Sequence, residues 1–533
     1  MSAGPSADDV PAPDPRLVAD LRADLAAVGG DGYRVDAVTA LLGLVADAAL
    51  HREQPLAARR VVTAAVGAGD PLAALVGAFV LGLEVPSDVL ATALPRCGLD
   101  GAGRLGLLEA VPGGRARARL ELRPYAAVDA AGGADWWVAS DLGETATGGP
   151  LRTDHVLGVG GASTTLARAV VREPVDRALD LGTGCGVQAL HLRRHARSVV
   201  ATDVSARALR VAALTLALDG GAGGDRPGED GAAPGRGTVD LRRGSLLAPV
   251  AGEAFDLVVS NPPFVITPRT DGVPAYEYRD GGMVGDALVQ HLVEDVGGVL
   301  APGGTAQMLG NWEHRDGEPW TDRVGAWLDA SGLDGWVVQR DLLDPAAYAE
   351  TWVRDGGQRE GAAFDALVGA WLDDLAGRRV DAVGLGLVVL RRPVDPSRPR
   401  LRRLEEVPGT GSGALGAHVA DVLAAEEQLA GLDDAALARR HLVVAPDVTE
   451  ERHARPGAAD PEVVLLRQGG GFGRAVRVGT AVAGVVGACD GDLPLGVLVG
   501  AVAQLLGRPA EEVAAEVLPA ARGLVADGLL RLA

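Results

Sequence analysis

The chain has 533 residues, of which 47% are hydrophobic and 23% charged, and its formal net charge at pH 7 is −21. This length exceeds what one hydrophobic core organises, so three or more domains are expected. The acidic balance argues against a general polyanion-binding protein, because nucleic-acid-binding domains usually carry a net basic face. The cysteines are three in number, far apart and in no metal-binding spacing. We therefore expect a cytoplasmic protein that binds no metal.

The N-terminus and the apolar stretches indicate neither export nor membrane insertion. Residues 1–14 are acidic and rich in proline, which predicts a disordered lead rather than a signal peptide. The longest uncharged apolar stretch, residues 493–507, is shorter than the roughly 20 residues that a membrane span needs. We expect a soluble protein with no membrane partner.

Residues 15–150 predict an accessory domain that is mainly helical and winged-helix-like. Apolar residues recur at helical spacing up to residue 94. Arg115, Arg117 and Arg119 then alternate with small apolar residues, which predicts a strand with one arginine face. These arginines would either contact nucleic acid or keep an edge strand from pairing with other chains. The sequence leaves both interpretations open.

A strand-like stretch, FDLVVSNPPFV at residues 255–265, brings polar and aromatic groups to a carboxyl end. Ligands bind at that end in open α/β sheets, and two prolines stop sheet pairing there. The side-chain carbonyl of Asn261 and the backbone carbonyl of Pro262 predict a rigid pair of acceptors for an NH2 group. Pro263 stiffens the turn, and Phe264 offers a face for stacking a flat substrate. An ordinary Pro-Pro turn after a strand is the alternative.

A glycine-rich turn lies upstream, in RALDLGTGCGVQAL at residues 177–190. A predicted strand ends at this turn and a helix follows, so the backbone can approach a ligand closely. The third glycine, Gly186, comes too early for the dinucleotide fingerprint. A second strand ends in Asp203, whose carboxylate can accept hydrogen bonds from both hydroxyls of a ribose. Gly244 and Ser245 follow a third strand.

In order and approximate spacing, these motifs resemble the class I S-adenosylmethionine-dependent methyltransferases. The likeness is strongest to the small-methyltransferase group with an NPP[FY] motif, which includes rRNA guanine-N2, N6-adenine and HemK-like glutamine methyltransferases. The alternation of strands and helices in the central domain predicts a parallel sheet. The resemblance implies an α/β, Rossmann-like fold with a seven-stranded sheet. It implies catalysis by Asn261, Pro262, Pro263 and Phe264. It implies that S-adenosylmethionine is bound by Asp180, Gly182, Thr183, Gly184, Gly186, Asp203, Val204, Ser245 and Asn261.

Two neighbouring segments are predicted to complete the site. In resembling families, the segment before the first strand, here residues 154–167, folds over the cofactor; a plain linker is the alternative, and His155 is expected at the surface. The polar and aromatic loop 268–282, with Tyr276, Tyr278, Arg279 and Asp280, would select the substrate or be an ordinary surface loop.

The remaining boundaries follow from composition. We predict a methyltransferase domain at residues 151–395, a basic linker at 396–412 and a C-terminal α+β, winged-helix-like domain at 413–533. Within the central domain, residues 219–237 are rich in glycine, aspartate and proline and predict a mobile loop.

The sequence predicts an enzyme that transfers a methyl group to a planar nitrogen, and three readings of its role remain. In the first, the methyl acceptor is an exocyclic amine of a nucleic-acid base, and rRNA is favoured because of the flanking modules and their arginine strand. The alternative is a HemK-like protein-glutamine N5-methyltransferase acting on a translation factor such as a release factor, which the acidic charge favours. The third is a catalytically idle regulator that binds S-adenosylmethionine.

Overall fold

The structure, a computed structural model, describes residues 10–129, 132–147, 151–220, 237–398, 400–409, 415–457 and 461–533. It divides into two compact units. Unit 1 comprises the described residues up to Ala167, together with 173–394 and 402–405, and unit 2 comprises 168–172, 395–401 and 406–533. Most of the predicted disordered lead and of the predicted mobile loop lies outside the described residues. The domain boundary at residue 150 stays a prediction, since both of its sides fall in unit 1.

The first part of unit 1 is mainly helical. Its first helix begins with Pro15, and Asp14 caps it by accepting a hydrogen bond from the Arg16 amide at 3.0 Å. The elements are helices α1 (Pro15–Ala27), α2 (Val35–His51), α3 (Leu56–Gly67), α4 (Pro71–Phe79), α5 (Ser87–Ala93), α6 (Gly98–Arg104) and α7 (Glu144–Thr147), and strands β1 (Val85–Pro86), β2 (Leu108–Val111), β3 (Arg115–Ala118), β4 (Glu121–Asp129) and β5 (Gly132–Ser140).

The arginine-bearing strand is β3, and its alternation is confirmed: its arginines are exposed and its alanines buried. The edge-strand interpretation is wrong, because β3 lies between β1 and β2 in a three-stranded sheet. Arg117 pairs with Glu109 at 2.5 Å, and Arg115 lies 3.8 Å from Glu84. Carboxylates therefore face these two arginines, which weakens the case for a nucleic-acid contact.

The second part of unit 1 is built around a central sheet. Its elements are α8 (Gly161–Ala169), β6 (Val175–Leu181), α9 (Val187–Leu192), β7 (Ala196–Asp203), α10 (Ala206–Leu218), β8 (Thr238–Arg243), β9 (Phe255–Ser260), α11 (Ala287–Asp295), β10 (Leu300–Arg315), α12 (Trp320–Ser331), β11 (Asp334–Leu343), α13 (Pro345–Asp355), α14 (Ala362–Gly377), β12 (Val380–Arg391) and β13 (Arg402–Glu406).

The sheet confirms the α/β, Rossmann-like fold class and corrects two details. In the described part of the chain it has eight strands, in the order β13-β11-β12-β10-β9-β6-β7-β8, where seven were predicted. Neighbours from β10 to β8 run parallel, but β12 runs antiparallel to both β10 and β11, so a wholly parallel sheet is wrong. The interior is apolar, with Phe255, Val258 and Trp312 fully buried.

The eighth strand, β13, lies in the segment predicted as a basic linker. Its residues are mostly arginine and glutamate, so no apolar alternation indicated a strand. Charged residues of this kind are common on edge strands. The Trp336 indole donates to the Glu405 carboxylate at 2.6 Å, and Arg402 donates to Asp329 at 2.6 Å. These contacts fix residues 402–405 to the sheet, so this part of the segment is not a solvated connector.

The β4–β5 hairpin packs against helix α10 of the second part. The Ala139 amide donates to the Thr215 hydroxyl at 3.1 Å. Next to the hairpin, Asp141 accepts from the buried Arg207 guanidinium, with the Nε–Oδ2 distance at 3.3 Å. The helical first part is therefore tied to the sheet through buried polar contacts.

Unit 2 is a separate α+β body with two three-stranded sheets, ordered β18-β14-β19 and β15-β16-β17. Its core includes the fully buried Leu437, Leu442 and Val513. The winged-helix likeness of both flanking segments stays a prediction. The elements are α15 (Leu415–Leu429), α16 (Asp434–Ala438), β14 (His441–Val444), β15 (Val448–His453), β16 (Val463–Gln468), β17 (Ala475–Val478), α17 (Thr480–Val486), β18 (Asp490–Pro494), α18 (Leu495–Leu506), α19 (Ala510–Ala526) and β19 (Leu530–Leu532).

A buried carboxyl group joins the end of β6 to helix α9. Asp180 is fully buried, and it accepts hydrogen bonds from the Thr183 hydroxyl at 2.6 Å and the Ala189 amide at 3.0 Å. Burial disfavours the charged form and raises the pKa of Asp180 to about 7. Asp180 thus holds the glycine-rich turn in shape from beneath.

This raised pKa predicts a pH-dependent stability. Below the unfolded-state pKa of roughly 4, protonated Asp180 contributes its full stabilisation, which is lost as the pH rises through about 7. The variant Asp180→Asn lacks this ionisation. We expect the free energy of unfolding of the wild-type protein, relative to Asp180→Asn, to fall between about pH 5 and pH 7 and then level off. All eight tryptophans lie in unit 1, so tryptophan fluorescence during urea unfolding measures it.

The control is Asp176→Asn, at an exposed position on the same strand, β6. It should follow the wild-type protein at every pH. A free-energy difference for Asp180→Asn that stayed constant or grew with pH would contradict the assignment.

Candidate functional site

A cavity of about 280 Å³ lies at the carboxyl ends of β6, β7 and β9. The glycine-rich turn follows β6, Asp203 ends β7, and Asn261 follows β9. Residues 155–158 and residues from the loop 277–283 complete the walls. The position agrees with the rule that open α/β sheets bind ligands outside the carboxyl ends of their strands.

The glycine-rich turn presents backbone to this cavity. Gly182, Gly184 and Gly186 have φ angles of +78°, +53° and +86°, in the left-handed region that side chains disfavour. The space that a Cβ would take is open at Gly182 and Gly184, and both residues line the cavity. At Gly186 a Cβ would lie 3.3 Å from Ala212, so this glycine allows α9 to pack against α10.

Asp203 is fixed by backbone donors. One carboxylate oxygen accepts from the Gly184 amide at 2.9 Å and the other from the Ser205 amide at 2.8 Å. Burial raises the pKa of this carboxyl group above its usual range, although these bonds favour its charged form. Each oxygen can accept a second hydrogen bond, so Asp203 is a preoriented acceptor in the cavity wall.

Asn261 carries an acceptor that no described residue satisfies. Its side-chain Oδ1 is buried without a hydrogen-bond partner, and the residue lines the cavity. The Pro262 carbonyl, in contrast, already accepts the Phe264 amide at 2.7 Å. Buried carbonyl groups rarely lack a donor, so the Asn261 oxygen is available to accept from a ligand N–H or O–H.

The cavity brings together most of the predicted site residues. Asp180, Gly186 and Phe264 do not line it, whereas the following do: Gly182, Thr183, Gly184, Asp203, Val204, Ser245, Asn261, Pro262 and Pro263. Phe264 is partly buried and packs against two hydrophobic clusters, so its position does not support a stacking role. The individual roles of all these residues stay predictions.

The segment before β6 covers part of the cavity through residues 155–158. The prediction of a surface position for His155 is wrong: the residue is 5% exposed and lies 3.9 Å from Asp141. Burial lowers the pKa of His155. Its ring meets the Tyr278 ring edge-on at 5.7 Å, and the Glu277 amide donates to the Thr153 carbonyl at 2.9 Å. These contacts join the segment to the loop after β9.

The loop after β9, residues 268–282, is held by contacts with the end of helix α13. Arg279 is buried, donates to Asp355 at 2.7 Å and lies over the Tyr276 ring, and the Tyr278 hydroxyl donates to Asp355 at 2.7 Å. Tyr278 and Asp280 line the cavity, while Tyr276 and Arg279 stand behind them. The loop is therefore part of the cavity wall and not merely a surface loop.

Among the cavity residues that were not predicted from the sequence are Glu277 and Leu246. Glu277 contributes an exposed carboxylate between the two tyrosines of the loop, and it could have been noticed as the acidic residue of that motif. Leu246 has a φ of +48°, which is rare for a side chain of its type. A single sequence gives no signal for such a backbone angle.

Metal binding and membrane insertion receive no support from the described ranges. Within them, no cluster of three or more His, Cys, Asp or Glu side chains is arranged to hold a metal ion. No helix there combines the length and apolarity that a membrane crossing requires.

Known sequences match parts of the chain. Residues 30–119 match a domain of unknown function, DUF7059, and residues 158–316 match the family described as "Methyltransferase small domain". A methyltransferase structure from Pyrococcus furiosus aligns over 43% of this chain and 80% of its own, at 15% identity and a TM-score of 0.25.

Curated relatives are similar over part of the chain. The ribosomal protein uL3 glutamine methyltransferase of Bradyrhizobium diazoefficiens is 30% identical over 207 residues, which are 36% of this chain and 59% of the relative. The release factor glutamine methyltransferase of Moorella thermoacetica is 35% identical over 133 residues, 24% of this chain and 42% of the relative. The chain thus spans about half the length of these relatives. Residues 158–316 are therefore similar to a methyltransferase small domain.

Proposed function

We propose that the chain transfers a methyl group from S-adenosylmethionine to the side-chain amide nitrogen of a glutamine in a protein. The observation that carries the proposal is the buried, unpartnered Oδ1 of Asn261 in the cavity wall. The relatives described above are named as glutamine methyltransferases, which supports a protein acceptor. The nucleic-acid base favoured by the sequence receives less support, since two arginines of β3 face glutamates.

The chemistry of the cavity fits S-adenosylmethionine. Gly182 and Gly184 leave room for close approach to the backbone, and Asp203 would accept hydrogen bonds from the ribose hydroxyls. Val204, Ser245 and Leu246 line the same cavity beyond Asp203 and would contact the adenine. When bound, the cofactor supplies a methyl group that is electrophilic because it is attached to a positively charged sulfur.

An amide nitrogen is a poor nucleophile because its lone pair is delocalised into the carbonyl group. The Asn261 oxygen would accept one hydrogen of the glutamine NH2 group and so fix the orientation of that nitrogen. The same contact would stabilise the positive charge that develops on the nitrogen during transfer. The second lone pair of the Pro262 carbonyl can accept the other hydrogen. The proton becomes acidic after transfer, so no strong general base is required.

Two contacts between the segment before β6 and the loop after β9 cover this site. The His155–Tyr278 ring contact closes one side of the cavity, and the Glu277–Thr153 backbone bond joins the two covering segments. Removing water from a site strengthens the polar contacts inside it. The covered cavity therefore favours a hydrogen bond to Asn261 over competing bonds to solvent.

Replacing Asn261 tests the grip on the acceptor nitrogen. We expect Asn261→Ala to lower methyl transfer by at least about 100-fold, as for loss of a transition-state contact. Binding of S-adenosylhomocysteine, measured by calorimetry, should change by less than about threefold. Transfer is followed as tritium passed from the cofactor to proteins of a bacterial lysate or to purified ribosomes and release factors.

The matched variant Asn261→Asp keeps an acceptor oxygen at the same place and should retain more transfer than Asn261→Ala. Label that resists RNase and is removed by protease supports the protein acceptor, and methylglutamine in a proteolytic digest identifies it. Label lost on RNase treatment would refute the protein acceptor and restore the base. Cofactor binding without any transfer by the wild-type protein would indicate the idle regulator.

Replacing Asp203 tests the cofactor contact separately. We expect Asp203→Ala to weaken S-adenosylhomocysteine binding by roughly 1–3 kcal/mol, because charge-assisted hydrogen bonds are lost. Calorimetric titration of the full chain measures the change. Asp271→Ala, at an exposed loop position outside the cavity lining, is the control and should bind like the wild-type protein. Unchanged affinity in Asp203→Ala would limit Asp203 to its bonds with Gly184 and Ser205.

A further inference from the structure

A second cavity, of about 390 Å³, lies in unit 1, away from the first cavity at the carboxyl ends of β6, β7 and β9. Helix α1, the β4–β5 hairpin and the C-terminal end of α10 form its walls. Its size falls in the range of pockets that take small molecules. The N-terminal end of α10 follows Asp203 and Ser205 of the first cavity, so the length of this helix, roughly 20 Å, separates the two.

Aromatic rings make up much of the second cavity's lining: Tyr33, Tyr125, Trp136 and Trp137. Several of their polar atoms are engaged by the protein. The Tyr33 hydroxyl donates to the Leu122 carbonyl at 2.8 Å, and the Trp137 indole donates to the Tyr33 carbonyl at 2.7 Å. Tyr125 and Trp136 stack with ring centroids 5.8 Å apart. The rings are therefore held in place, and the half-buried Tyr125 and Trp137 offer apolar surface to a ligand.

Two arginines, Arg22 and Arg34, line the same cavity. The Nε of Arg22 is buried and has no hydrogen-bond partner among the described residues. A buried donor without an acceptor costs free energy, which an anionic ligand would recover. The cavity's two aspartates differ: Asp219 is buried and pairs with Arg193 at 3.1 Å, while Asp135 is exposed.

We propose that this second cavity binds a nucleoside monophosphate. The phosphate would bind to Arg22 and Arg34, since guanidinium groups match phosphate oxygens in charge and geometry. The base would lie against the aromatic rings, which stack on any nucleobase. Asp135 would accept from the hydroxyls or amino groups of the nucleoside. A bare phosphate would leave the rings and Asp135 without a role, and an apolar molecule would leave the Arg22 Nε unsatisfied.

The experiment is a calorimetric titration of the full chain with AMP and, separately, UMP, in the presence of saturating S-adenosylhomocysteine. The latter keeps the first cavity filled, so that it does not account for the signal. We expect saturable binding at one site, weakened at least about tenfold in Arg22→Gln and in Arg34→Gln. Arg16→Gln, at an exposed position on the same helix α1, should bind like the wild-type protein.

Thermal melting of each variant shows whether it is folded, and the two arginine variants keep the test valid if one of them does not fold. Absence of saturable binding up to millimolar AMP and UMP would overturn the proposal, as would binding by Arg22→Gln and Arg34→Gln that equals binding by the wild-type protein. The proposal does not depend on methyl transfer. If S-adenosylhomocysteine fails to bind, the proposed function is refuted, and the comparison of wild-type protein with the arginine variants still decides the nucleotide site.

A further arm uses a 5′-phosphorylated RNA tetranucleotide in place of AMP. Tighter binding than AMP, lost in Arg22→Gln, supports the site and identifies the nucleotide as the end of an RNA strand. Weaker binding than AMP supports the site and identifies a free nucleotide as its ligand.

Discussion

The side-by-side parallel pairing of β6 with β7 and β9 is the constraint on which the site depends. Because these strands run in one direction, the glycine turn, Asp203 and Asn261 all emerge at the same edge of the sheet. The Ser260 hydroxyl reinforces the pairing by donating to the Leu181 carbonyl at 2.7 Å, immediately before Asn261. A shift of one residue between β6 and β9 would turn the side chains of β9 to the opposite face of the sheet and separate the acceptor from the glycine turn.

Buried charged and polar groups then hold the loops around this edge. Asp180 supports the glycine turn from below, and the Arg207–Asp141 pair joins helix α10 to the chain that leads into the covering segment. On the other side, Asp286 accepts from the Glu313 amide at 2.9 Å and from Arg323, which anchors the end of the loop after β9. A buried charge is costly unless it is paired, so the Arg207–Asp141 and Arg323–Asp286 pairs resist movement of the segments that they join.

Much of the central domain could be predicted from sequence because local signals there coincide with the final structure. Strand β9 is apolar and ends at two prolines, and strand β6 ends at glycines that need positive φ angles. Strand β13 could not be predicted, because its charged residues conceal it and its partner β11 lies about 60 residues earlier in the chain. The burial of His155 was missed for the same kind of reason, since it depends on Asp141 and Tyr278 from other segments. The proline turn was recognised, but the bond from the Phe264 amide to the Pro262 carbonyl is that of a γ-turn, which the sequence does not specify.

The position of β12 between β10 and β11 has a consequence for how the protein folds during its synthesis on the ribosome. Strand β12 separates β10 from β11, and it is made after both of them. Until residues 380–391 leave the exit tunnel, β10 has a neighbour on one side only, and its other row of backbone amides and carbonyls is unpaired. The growing chain therefore passes through a stage in which a long, apolar strand is open to other nascent chains. Helices α13 and α14, which emerge between β11 and β12, lengthen that stage.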